Sequence, residues 1–65
     1  MKTQEVKAIM KDKKIDPATM AMELGVDVST YYRKMKRNTF SALDLLVFKR
    51  VLEMNDKDAL DFLLS

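Results

Sequence analysis

The spacing of apolar residues along the chain predicts five short helices. Apolar residues recur every three or four positions over residues 4–13, 16–24, 28–37, 41–54 and 55–64, which is the period of a helix with one inward face. In the first segment Val6, Ile9 and Met10 fall on one stripe, with Thr3 in the N-cap position. No stretch of useful length alternates between apolar and polar residues, so the predicted fold class is all-α.

Helix boundaries can be read from capping residues. Asp16 precedes Pro17 at the start of the second helix, where a side-chain acceptor at the N-cap and a proline at the first position are both favourable. Gly25 ends that helix, because glycine adopts the left-handed conformation at little cost. Asp27 is the predicted N-cap of the third helix. Ser41 is the N-cap of the fourth, and Asp44 three residues later makes a near match to a capping box.

The fourth and fifth helices carry the most apolar surface. From Leu43 to Met54 the fourth is apolar almost all round, which predicts a central buried helix. The fifth has more apolar residues than one stripe can bury. In one interpretation it simply closes the core through Leu60 and Leu63. In the other, Phe62 and Leu64 stay exposed and form part of a dimer contact.

Length and composition restrict the class of protein. The 65 residues predict one domain over 1–65, with 48% hydrophobic residues to form a core. The chain has no Cys and no His, which excludes disulfides and the usual zinc ligands. It also lacks a glycine-rich phosphate loop and an inward-facing carboxylate pair, so we expect no enzyme, no metal, no cofactor and no small-molecule substrate. The first 14 residues contain no continuous apolar run, so we expect no signal peptide, no membrane association and a cytoplasmic location.

Positive charge is concentrated in one short segment. The net charge is +2, yet residues 1–27 hold five basic and five acidic groups, and residues 41–65 hold three basic and five acidic ones. Residues 28–40 hold four basic groups and no acid. A cationic segment without acids is typical of a surface that binds nucleic acid.

The same segment follows a pattern expected of a helix-turn-helix. Gly25 allows a tight turn, Ala21 is small enough for close helix crossing, and Val26 and Tyr31 anchor the turn and the third helix in the core. On a helical wheel Tyr31 and Met35 point inward, with Val28 at the edge. The outer face holds hydrogen-bonding groups suited to base edges in its first turns, namely Ser29, Tyr32 and Arg33. Groups suited to phosphate oxygens are predicted at Thr30, Lys34, Lys36, Arg37, Asn38 and Thr39.

The run from Met20 to Met35 resembles the helix-turn-helix of phage repressor and Cro-type regulators, the lambda repressor-like DNA-binding family, with members from Gram-positive phages and mobile elements most similar. Residues 39–43, which lead into the fourth helix, and the five-helix layout match as well. The resemblance implies a compact five-helix domain whose second and third helices form the motif. It implies a homodimer, formed mainly on DNA, that binds a double-stranded operator of approximate two-fold symmetry in a bacterial host cell, associated with the nucleoid.

The resemblance also implies particular contacts. Base contacts would come from Val28, Ser29, Tyr32 and Arg33, and backbone contacts from the start of the second helix and the loop after the third. Two positions depart from the family pattern. Pro17 stands where members commonly have Gln, and Lys36-Arg37 stands where many have Asn-Gly. The geometry with which the chain leaves the third helix is therefore open.

Other interpretations remain at this point. The basic cluster could be a solvated helix face, Tyr32 an incidental surface aromatic, and Arg33 the partner of a nearby carboxylate such as Glu23. The chain could be a protein-interaction module, an antirepressor or antitoxin-like partner, that binds through Phe62 and Leu64. A non-specific nucleoid protein is disfavoured by the small net charge of +2.

Overall fold

The computed structural model describes residues 1–64, and within them the chain folds into five helices and no strand. The helices are α1 (Thr3–Asp12), α2 (Pro17–Leu24), α3 (Val28–Arg37), α4 (Ala42–Val51) and α5 (Asp56–Phe62). The all-helical prediction is therefore confirmed. The fold is compact, with a radius of gyration of 10.5 Å. None of the helices described is long and apolar enough to cross a bilayer.

The predicted start and end of α2 are confirmed. The carboxylate of Asp16 accepts a 2.8 Å hydrogen bond from the backbone N–H of Thr19, and Pro17 is the first helical residue. Hydrogen bonds from the Thr19 side chain and then from this backbone N–H lower the pKa of Asp16, because both favour the charged carboxylate. At the other end Gly25 adopts a left-handed conformation with φ 74°. Local sequence therefore fixes both ends of this helix.

The start of α4 is capped as predicted, and α5 also begins at a capping residue. Ser41 and Asp44 form a full capping box: the Ser41 hydroxyl accepts the Asp44 N–H at 3.2 Å and the Asp44 carboxylate accepts the Ser41 N–H at 3.1 Å. Asn55 accepts the Asp58 N–H at 2.8 Å. The prediction for α1 is wrong, since Thr3 is already helical and Lys2 occupies the N-cap without a side-chain bond.

At the ends of three helices a residue other than glycine adopts the left-handed conformation. Lys14, Asn38 and Glu53 have φ angles of 58°, 55° and 54°, which is the left-handed region. Asn38 ends α3, because asparagine tolerates this conformation better than most residues. The turn at Glu53 stops α4 at Val51, so the expectation that this helix continues to Met54 is wrong.

All five helices contribute to one core. Its fully buried large side chains are Val6, Met20, Phe48 and Leu52. The ring of Phe40 packs edge-on against Phe48, with ring centroids 5.0 Å apart, and lies 6.3 Å from the ring of Tyr31. The loop between α3 and α4 is thereby attached to the core. The remaining buried core residues are Met10, Ala21, Tyr31, Met35, Met54, Ala59 and Leu63.

The prediction that α4 is a central buried helix is wrong. Only Phe48 of this helix is fully in the core, while Leu43 is 75% exposed and Leu46 is 61% exposed. The helix packs against α2 with one side, and its opposite side faces outward. Its apolar character therefore leaves leucines at the surface.

Each of the two interpretations of α5 is right for one residue and wrong for the other. Ala59 and Leu63 are buried, and Phe62 is half-buried against the core. Leu60 is 60% exposed and Leu64 is 64% exposed, so Leu60 and not Phe62 accompanies Leu64 on the outer side. The physical reason is the helix period: residues 59, 62 and 63 share one face, and α5 turns that face toward α1.

A single peptide group links the beginning of the chain to two distant segments. The Lys2 N–H donates to the Phe62 carbonyl at 2.8 Å, and the Met1 carbonyl of the same peptide group accepts from the Asn38 side-chain amide at 3.0 Å. The start of α1, the end of α3 and the end of α5 therefore meet at this group.

Candidate nucleic-acid interface

The connection between α2 and α3 is a tight turn of three residues, Gly25 to Asp27. The N–H groups of Gly25 and Val26 donate to the carbonyls of Met22 and Ala21 at 3.1 and 3.0 Å, so the turn closes directly onto the last turn of α2. Ala21 is buried, and Val26 packs against the core. The two helices pack on each other and hold α3 at the surface of the domain.

The inward and outward residues of α3 are as predicted. Tyr31 and Met35 are buried, whereas Tyr32 is 55% exposed and Val28 lies at the margin. The exposed side chains on the outer side include Ser29, Arg33, Lys36 and Arg37. The helix itself contains no acidic residue. Its outer face is therefore cationic, with one aromatic ring in the middle.

The first turn of α3 carries an interaction that the sequence did not predict. Asp27 occupies the N-cap, and its carboxylate accepts a hydrogen bond from the Ser29 hydroxyl. Hydrogen bonds from Ser29 and then Thr30 lower the pKa of Asp27. Because the Ser29 hydrogen is already donated, this hydroxyl offers oxygen lone pairs outward, which suit a donor such as the amino group of adenine or cytosine.

Arg33 is exposed and has no carboxylate partner among residues 1–64. Its guanidinium donates to the Thr30 hydroxyl at 3.1 Å, which orients it along the outer face. The alternative in which Arg33 pairs with Glu23 is not what the structure shows, because Glu23 binds Arg50 at 2.9 Å. The guanidinium of Arg33 therefore retains donors for an external acceptor.

Lys34 lies on the side of α3 that faces α4. Its ammonium is 3.4 Å from the Asp44 carboxylate, and both side chains are partly buried. Burial raises the pKa of Asp44, but the Ser41 hydrogen bond and the Lys34 charge outweigh it, so the pKa is lowered overall. The predicted phosphate role of Lys34 competes with this ion pair, whereas Lys36 and Arg37 are exposed.

The chain leaves α3 through Asn38. This residue has left-handed backbone angles, and its side-chain amide is bound to the Met1 carbonyl. The next residue, Thr39, is exposed and donates its N–H to the Lys34 carbonyl at 3.1 Å. Of the residues predicted to contact phosphate, Lys36, Arg37 and Thr39 are therefore the ones with exposed and unengaged side chains within the described chain.

Residues of α1 lie beside the outer face of α3, and the sequence analysis missed them. Gln4 and Lys7 line a small cavity together with Tyr32 and Lys36. Lys7 also lines a larger groove that includes Tyr32. The sequence does hold one indication that α1 carries part of this surface, namely the recurrence of lysine at positions 7, 11 and 14.

Within residues 1–64 no three Asp or Glu side chains cluster in a way that could hold a metal ion. Comparison with known proteins finds no matching protein-family model, no matching curated protein and no matching solved structure. The function of the chain must therefore be inferred from the geometry and charge of its own surface.

Proposed function

We propose that this chain is a transcription regulator that binds double-stranded DNA through a helix-turn-helix formed by α2 and α3. The observation that carries the proposal is the outer face of α3, which is exposed, cationic and free of acids, while Tyr31 and Met35 anchor the opposite face in the core. A helix of this kind fits the major groove, which admits one α-helix. The sequence resemblance to phage repressor and Cro-type proteins supports the same assignment.

Roles within the face follow from side-chain chemistry. Arg33 suits the two acceptors of guanine, and Ser29 and Tyr32 suit single donors or acceptors on base edges, with Val28 beside them for apolar contact. Lys36, Arg37 and Thr39 suit phosphate oxygens, which set affinity and register without reading sequence. Thr30 supports this arrangement by orienting the Arg33 guanidinium.

We also propose that the chain acts as a homodimer. Leu60 and Leu64 on α5, with Leu43 and Leu46 on α4, expose apolar surface of the kind that forms subunit contacts. Two copies would bring two α3 helices to successive turns of the same DNA face, about 34 Å apart. In this role the protein is a DNA-binding protein and not an enzyme, and it needs no cofactor.

The direct test is selection of bound duplexes from a random DNA pool, followed by titration of the selected and a scrambled duplex at two salt concentrations. We expect selected sites with inverted half-sites, a preference for the selected duplex of about 10³-fold or more, and weaker binding to both duplexes at higher salt. Equal affinity for selected and scrambled duplexes would contradict sequence-specific binding. Absence of binding to either would contradict the proposal as a whole.

The exposed leucines favour a second candidate, a protein-interaction module that retains this fold. In that case Leu60 and Leu64 would bind a different protein, and neutralising Arg33, Lys36 and Arg37 would leave function intact. The same duplex titration separates the two candidates, because only the first predicts salt-dependent binding to DNA.

A further inference from the structure

A second concave surface lies between α1, the start of α2 and α3. It is a groove of about 560 Å³, a size typical of ligand-binding clefts. Its lining includes the buried core residues Met10, Tyr31 and Met35, together with Ile15 and Tyr32. The lining is thus formed largely by apolar and aromatic side chains.

Three lysines line the same groove. Lys7 and Lys11 are one helical turn apart on α1, about 6 Å along the axis, and Lys14 follows just beyond the helix. The ion pairs among residues 1–64 involve Lys34, Lys49 and Arg50, and none of them involves these three lysines. One acid, Asp16, lies at the end of the groove, where it caps α2. The groove therefore combines an apolar lining with an excess of positive charge.

The groove between α4 and α5 is a useful contrast. It is of similar size, about 510 Å³, and is also apolar. Its charged lining residues are Lys49 and Asp56, which bind each other at 2.7 Å. The Lys49 hydrogen bond and charge lower the pKa of Asp56, so this pair stays ionised and neutralises itself. The two grooves thus differ in charge and not in size, which predicts different partners.

We propose that the groove between α1 and α3 binds an acidic amphipathic helix of a partner protein. Such a helix places apolar residues every three or four positions on one face, which would contact the accessible side chains of Ile15, Pro17 and Tyr32 above the buried floor of the groove. Carboxylates flanking that face, one turn apart, would match the spacing of Lys7 and Lys11. A DNA strand offers phosphates for the lysines but leaves the apolar lining uncovered, so the combination favours a peptide.

Binding in this groove affects the DNA-reading face. Tyr32 lines the groove and is also a proposed base-contacting residue. A helix in the groove would cover Tyr32 and exclude DNA, so the partner would act as an inhibitor of DNA binding. This regulatory part of the inference rests on the proposed function, whereas binding of the acidic helix does not.

The test uses two synthetic helical peptides that share one leucine face. In the first the flanking residues are all glutamate, and in the second they are all lysine. Anisotropy of the labelled peptides is measured against the full chain, the Lys7→Gln/Lys11→Gln variant, and the Lys13→Gln/Lys57→Gln variant as a control of equal charge. We expect the acidic peptide to bind and the basic one not to bind. The first variant should lose about three- to tenfold in affinity for the acidic peptide, while the control variant keeps its affinity.

Several results would overturn the proposal. Equal binding of both peptides would mean that charge does not select the partner, and loss of binding in Leu60→Ser would place the peptide in the groove between α4 and α5. Weaker duplex binding by Lys7→Gln/Lys11→Gln, with unchanged peptide binding, would assign the lysines to DNA instead. A chain that binds duplex but no peptide refutes this inference alone, and one that binds peptide but no duplex refutes the proposed function alone.

Discussion

Arg50 on α4 binds Glu23 on α2 at 2.9 Å and thereby occupies the carboxylate that the sequence offers as a candidate partner for Arg33. The bridge joins two helices that pack together, but the Arg50 side chain is 64% exposed and solvent screens the pair, so it contributes about 0–1 kcal/mol to stability. Its main consequence is for α3, because Arg33 is left with only the Thr30 hydroxyl as a described partner.

Arg33→Ala should therefore impair DNA binding without affecting folding. We expect a loss of about 1–3 kcal/mol on the preferred duplex and weaker discrimination at one base pair, because a bidentate contact to guanine is removed. The thermal midpoint should change little, since the side chain is exposed. Titration of duplexes with single base changes, alongside thermal unfolding, measures both. An equal loss on preferred and random duplexes would show that Arg33 contacts only the backbone.

Lys36→Gln should weaken binding to every sequence by the same factor. Its ammonium is exposed in the last turn of α3 and is assigned to a phosphate, so its loss should reduce the slope of log affinity against log salt by about one unit. Lys57→Gln removes the same charge from α5, away from the proposed interface, and serves as the control. If both variants change the slope equally, the effect is one of net charge and the specific assignment fails.

Leu60→Ser and Leu63→Ala should differ sharply in effect. Leu60 is exposed, so its replacement should leave folding unchanged but weaken self-association and binding to a two-half-site duplex. Leu63 is buried, so its truncation should cost about 2–5 kcal/mol of stability. Sedimentation equilibrium and thermal unfolding distinguish them. Comparable destabilisation by both variants, or unchanged association in Leu60→Ser, would remove α5 from the dimer contact.

Tyr31 should make stability dependent on alkaline pH. Burial, and to a lesser degree the charge of a Tyr32 phenolate, raise the pKa of Tyr31 to about 12 from 10.0. The folded state thus favours the neutral phenol. The stability that comes from keeping the Tyr31 phenol neutral is fully present below pH 10. It is lost as the pH rises through about 12, and the free energy of unfolding then falls by roughly 3 kcal/mol in total.

The measurement uses Tyr32→Phe, in which Tyr31 is the one remaining tyrosine. Ultraviolet absorbance should show the Tyr31 phenol ionising near pH 12. Circular dichroism should show the protein unfolding over the same pH range. Ionisation near pH 10 in a protein that is still folded would show that the phenol is accessible to water.

How far the sequence predicts the fold depends on which residues end the helices. Both ends of α2 were predicted because Asp16-Pro17 and Gly25 act through local geometry alone. The end of α4 was not, since Glu53 takes left-handed angles that glutamate does not favour. Tertiary packing imposes such a conformation, so the local sequence does not predict it.

The candidate site was predicted at the level of helix faces but not of hydrogen bonds. The wheel correctly separated Tyr31 and Met35 from Tyr32 and Arg33, because helical periodicity is a local property. It could not show that Asp27 binds the Ser29 hydroxyl or that Asp44 is paired with Lys34, since both depend on side-chain rotamers. The position of α1 beside Tyr32 depends on packing between helices, so the sequence alone did not predict it either.

The peptide group between residues 1 and 2 has a mechanical consequence. It is a rigid plane, with its N–H bound to Phe62 and its carbonyl bound to Asn38. In the proposed dimer, a shift of α5 on subunit docking would therefore either tilt this plane, and with it the loop that follows α3, or break one of the two bonds. The proposed subunit contact and the proposed phosphate-binding loop are joined through one peptide group, so in this proposal dimer formation and DNA binding are coupled.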